Sequence, residues 1–146
     1  MNYKKHLPGK WKIVATSFSM WKSDKNKNPT ITYSLHKDVP LIFNDLVEYK
    51  KNHKLKSITG YDKLRNESFI WRGKGWLKPF TSKWKVLYLD SDLLIMKFSA
   101  TLITPSGMDI LVRNTKDISY YKERINGHPK LFNLNTVETQ NLHWLY

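Results

Sequence analysis

The polar groups available for chemistry in this sequence are few. Its five histidines (His6, His36, His53, His128 and His143) show no metal-ligand spacing, and most fall in turns. There is no G-x-S-x-G elbow, P-loop or paired-carboxylate motif, and the absence of cysteine removes thiol and disulfide chemistry. No catalytic residue, metal ligand or cofactor is therefore expected. What remains is a chemistry of binding. Ala15, Ser17, Tyr33, Val47, Tyr49, Phe69, Trp71, Trp84, Val86, Tyr88, Met96 and Phe98 form a mostly apolar set fit to line a cavity, in which the tyrosines supply the polar handles that orient a ligand. Arg72 points outward on strict alternation. A bulge near Gly73 would turn it inward, where it would meet an anion such as a carboxylate headgroup.

Such a set needs strands to present it. From Trp11 the chain alternates Trp11, Ile13, Ala15 and Ser17 against Lys12, Val14 and Thr16, the period of a half-buried strand. Pro8 gives no N–H to a sheet, and Gly9 lacks the Cβ that would crowd a tight turn into the strand. Trp21 to Pro29 reads as a long exposed loop, followed by strands over 30–36 and 41–50. The next strand covers 55–64, with Gly60 a candidate bulge, and 68–76 forms a fifth with Phe69, Trp71, Gly73 and Gly75 on one face. Strands over 83–89, 93–100 and 108–113 complete a run of eight separated by turns, the spacing of an all-β meander. The period then changes. Thr115 is placed to cap a helix with Ile118, Tyr121 and Ile125 on its apolar face, which Gly127 and Pro129 end. Residues 134–142 read as a last short strand.

Gly9-Lys10-Trp11 at the start of the first strand resembles the G-x-W signature of the lipocalins, and the order of eight strands, helix and returning strand matches that family along nearly the whole chain. Ile110-Leu111-Val112-Arg113 resembles the family's third conserved region, and Ile58 to Asp62 and Phe69 to Gly75 resemble small bacterial members. At the turn after the sixth strand, Leu89-Asp90-Ser91-Asp92 stands where the family has a T-D-Y motif. The resemblance implies an all-β fold: an eight-stranded antiparallel up-and-down β-barrel with one C-terminal α-helix and a short final strand, as a single domain over 1–146. It implies that Arg113 stacks on Trp11 beside Gly9 to plug the closed end. It also implies binding, sequestration or transport of a small apolar or amphiphilic molecule, fatty-acid- or lipid-like. The small residues Ala15, Ser17, Gly73 and Gly75 beside large aromatics favour an open interior over a filled one. Some barrels of this kind are enzymes that act on small acidic or aromatic substrates through Tyr, Arg and Glu. Tyr33, Tyr88, Arg72 and Glu48 are of those types without a recognisable arrangement.

Lys and Arg number 25 against 12 acidic residues, a formal charge of +13. A field of that sign attracts anions, and a weak contact with an anionic membrane surface follows from it. Specific nucleic-acid binding does not. In Trp71-Arg72 and Lys83-Trp84-Lys85 the rings and charges alternate between strand faces, whereas a stacking platform needs both on one outer face. No apolar run approaches the length of a membrane span. The start of the chain carries no apolar leader segment, so it reads as cytoplasmic with Met1 as the native start, or as exported (periplasmic or secreted) if a leader has been removed. Oligomeric state has no signature in the sequence.

Overall fold

The computed structural model describes residues 1–102 and 104–146. Alternation of apolar and polar residues produces β1 (Gly9–Thr16), β2 (Asn26–Lys37), β3 (Ile42–Lys51), β4 (Lys54–Arg65), β5 (Ser68–Gly73), β6 (Thr81–Leu89), β7 (Leu93–Phe98) and β8 (Gly107–Val112). Each pairs antiparallel with the next, and β1 pairs with both β8 and β2, which closes the sheet into an up-and-down barrel. Helices α1 (Tyr3–His6) and α2 (Ser19–Lys22) flank β1, α3 (Ile118–Gly127) and α4 (Thr136–Gln140) follow β8, and the two-residue β9 (His143–Trp144) returns to β1.

Two apolar cores share the sheet. The interior core holds Trp11, Ile13, Tyr33, Phe43, Phe69, Trp84, Leu94, Met96 and Leu111. The second lies outside the barrel, where Ile118 and Ile125 of α3, with Phe132, Leu134 and Leu142, cover Leu93 and Ile95 of β7, Ile110 and Val112 of β8, and Val14 and Ala15 of β1. Every residue of β8 is therefore buried, which is why Ile110-Leu111-Val112 reads as an unbroken apolar run.

At the closed end, the Arg113 guanidinium lies 3.6 Å from the centre of the Trp11 ring. It donates to the carbonyls of His6 (2.6 Å), Pro8 (2.8 Å) and Lys10 (3.2 Å). The Trp11 indole N–H donates to the Leu7 carbonyl at 2.8 Å, and Tyr3 of α1 packs edge-on against Phe69. Gly9, at φ +110°, leaves room for the guanidinium: a Cβ there would stand 2.7 Å from Nη1 of Arg113. Although the turn at 89–92 lacks the T-D-Y pattern, it still meets this plug, because Arg113 Nε donates to the Ser91 carbonyl at 3.4 Å.

Several local expectations are corrected. Trp21 to Pro29 is not one exposed loop: α2 buries Trp21, and β2 already begins at Asn26. The β3–β4 and β4–β5 registers run unbroken through Gly60, so it is no bulge. Its missing side chain makes room for the Trp71 indole instead. The fifth strand stops at Gly73, because Gly75, at φ +61°, opens a short 3-10 turn. Asn114, not Thr115, caps the approach to α3, accepting from the Lys116 N–H. Residues 134–142 contain helix α4, capped by Asn135, and the last strand comes after it.

Candidate functional site

A cavity of about 480 Å³ opens at the end of the barrel opposite Trp11. Its walls are Ile13, Ile31, Val47, Ile58, Trp71, Met96 and Phe98, together with Tyr33 and Trp84. The Trp84 ring stacks at 4.6 Å on Phe69, which lies behind it and does not reach the cavity. Residues 17–22, running into α2, and Thr104 and Pro105 of the β7–β8 connection form the mouth. Phe18 there packs edge-on against Phe98, and Trp21 against Tyr49.

Of the residues expected to line this space, Ser17, Tyr33, Val47, Trp71, Trp84, Met96 and Phe98 do so. Phe69, Val86 and Tyr49 belong to the interior core without bordering the cavity. Three others lie elsewhere. A register shift between Ile13 and Ala15 puts Ala15 opposite Ile110 on the outer face and turns Thr16 inward, opposite Asp109. A second shift between Val86 and Tyr88 turns Tyr88 outward, where it packs on Phe132 and donates to Asp90 at 2.9 Å. No bulge forms at Gly73, so Arg72 stays exposed and donates to the Lys78 carbonyl at 3.0 Å, well away from any interior anion site.

No family model and no curated protein matches the sequence. Solved structures do. The cockroach major allergen Per a 4 superposes with a TM-score of 0.64 at 13% identity, over 90% of this chain and 81% of its own. The siderocalin Ex-FABP superposes with a TM-score of 0.61 at 12% identity, over 95% and 93%. The fold is that of the lipocalins.

This lipocalin-like barrel has an unexpected interior polarity. Asp45 of β3, Asp62 of β4 and Asp109 of β8 are all buried and face inward, and Asp45 and Asp109 border the cavity. Asp62 accepts from the Trp84 indole N–H at 2.9 Å. Burial, then the neighbouring Asp45 charge and a side-chain hydrogen bond with Asp45, pushes Asp62 well above the usual carboxylate range. Burial raises Asp45 too, opposed by that hydrogen bond and by the Lys74 charge. Lys74 itself is held outside the cavity, 3.2 Å from Asn44 Oδ1 and 4.2 Å from the centre of the Tyr61 ring. Asp109 is pushed up to about 7 by burial, with Thr16 its hydrogen-bond partner. Asp45 Oδ1 and Asp109 Oδ1 are buried with no hydrogen-bond partner.

These acids escaped the sequence reading, yet parity marks them. Asp45 is two residues from Val47 and four from Tyr49, both assigned inward, and Asp109 is two from Leu111. Among the described residues no group of His, Cys, Asp or Glu is arranged to hold a metal ion.

Proposed function

We propose that this barrel binds and sequesters a small, largely apolar molecule in its interior. The observation that carries this reading is the cavity itself. At about 480 Å³ it falls within the range of small-molecule sites, and its walls are aliphatic and aromatic side chains held by a closed sheet. A ligand there gains roughly 25 cal/mol for each Å² of apolar surface removed from water, before the entropic costs of binding. The Ex-FABP siderocalin, described as functioning through dual ligand specificities, adds support from a neighbour of like fold. A fatty-acid ligand loses its expected partner, because Arg72 is outside. The enzymatic alternative loses its constellation, because Tyr33 faces inward while Tyr88 and Arg72 do not.

Titration with retinol or N-phenyl-1-naphthylamine, both uncharged at neutral pH, tests this reading. Saturable binding that quenches tryptophan emission is expected, since Trp71 and Trp84 border the site. Trp71→Leu should weaken affinity roughly tenfold, about 1.4 kcal/mol. If the folded protein takes up neither probe, the interior is not a binding site.

A further inference from the structure

The cavity's polar groups have the wrong sign for the ligands that a lysine-rich protein would be expected to hold. Asp45 and Asp109 border it, each with one buried oxygen that meets no donor. The Tyr33 hydroxyl stands among these two carboxyl groups and that of Asp62, and its hydrogen bond is a weak one, to Met96 Sδ at 3.7 Å. Among the described lining residues the one basic side chain is Lys22, exposed at the mouth. Unpaired buried acceptors are costly and rare in folded proteins, so a donor brought by a ligand would satisfy what the chain itself leaves open. The rings around them act in the same direction. Tyr33, Trp71 and Trp84 border the cavity, and aromatic rings attract a cation and repel an anion over their faces. Carboxylates and aromatic faces in an otherwise apolar pocket are the recognition chemistry of an ammonium group carried on an apolar body.

Resting on the reading that the interior binds an apolar molecule, we propose that the ligand is a protonated amine, its ammonium held by Asp45 and Asp109 and its apolar part by the aromatic wall. The ligand's charge favours the ionised form of both groups, against the burial that raises them, and pairs with them in a setting of low dielectric, where such a contact is stronger than in water. A carboxylate ligand of the same shape meets repulsion in the same place.

Three ligands of matched length separate these outcomes: decylamine, decan-1-ol and decanoate, each titrated by calorimetry and by displacement of N-phenyl-1-naphthylamine at neutral pH. Decylamine should bind at least tenfold more tightly than decan-1-ol, and decanoate more weakly than either. In Asp45→Asn/Asp109→Asn the ratio of decylamine to decan-1-ol affinity should fall to about one, with folding checked by thermal melting. This comparison on the unaltered protein stands even if that variant fails to fold. Equal affinity for amine and alcohol, tighter binding of decanoate, or an amine preference that survives in the folded double variant would overturn the proposal and leave apolar binding intact. If none of the three ligands nor the probe binds, the binding function fails and this proposal with it.

Discussion

Replacing Trp11 with alanine is expected to destabilise the fold by about 3–5 kcal/mol, which lowers Tm by roughly 10–15 °C. The indole is fully buried at the closed end, and its N–H satisfies the Leu7 carbonyl. Its other face carries the Arg113 guanidinium. Alanine would leave a void lined by Leu7 and the interior core, and would strip the guanidinium of its platform. Arg113→Ala should cost less, because that side chain is only partly buried. Arg113→Lys should not restore it, since one ammonium cannot reach the carbonyls of His6, Pro8 and Lys10 with a planar fork. Thermal and urea unfolding of the three variants checks the order. An unchanged Tm for Trp11→Ala would mean that the plug does not hold the barrel.

The second large effect is on pH dependence. Burial raises Asp45, Asp62 and Asp109 in the folded state, Asp109 to about 7 from an ordinary value of 3.8. Between those values the folded protein binds more protons than the unfolded chain, so stability falls as pH rises. The contribution is complete below about 4 and is lost as pH climbs through about 7 for Asp109, with a slope of at most about 1.4 kcal/mol per pH unit from this group. Asp109→Asn removes the titration while keeping a side-chain oxygen for Thr16. The variant should gain stability relative to the wild type on going from pH 5 to pH 8. Unfolding free energies at several pH values measure this difference directly, and a difference that does not change with pH would show that Asp109 ionises normally.

The closed-end pair was legible through the G-x-W resemblance, and strand order and most of the cavity wall through turn spacing and through β3 to β5 and the first half of β6, which keep strict alternation. The Trp71 and Trp84 positions follow from that alternation alone. Ala15 and Tyr88 were not legible, for one physical reason. Val14 in β1 and Leu87 in β6 are extra residues in their ladders, so parity reverses beyond each. A bulge leaves little trace when both faces of a strand are apolar, as they are where α3 covers the outer side. The buried acids were hidden differently. Asp45 shares its parity with Val47 and Tyr49, but the strand of Asp62 had no assignable facing, a carboxylate is ordinarily a surface residue, and only the folded arrangement shows three of them meeting around Tyr33. Residues 134–142 misled because Val137 amid polar residues fits a strand as well as a short capped helix.

The C-terminal residues protect the protein from its own sheet. β1 pairs with β2 only over Gly9–Lys12, so the barrel is open at the seam beyond Lys12. There His143 and Trp144 pair with Thr16 and Ala15, and the Leu145 N–H donates to the Val14 carbonyl at 2.8 Å. These few residues near the end of the described chain thus occupy the stretch of backbone on which another molecule could add a strand. A chain cut before His143 would keep its eight-stranded wall but present an unpaired edge beside the mouth, the feature through which β-proteins associate and aggregate.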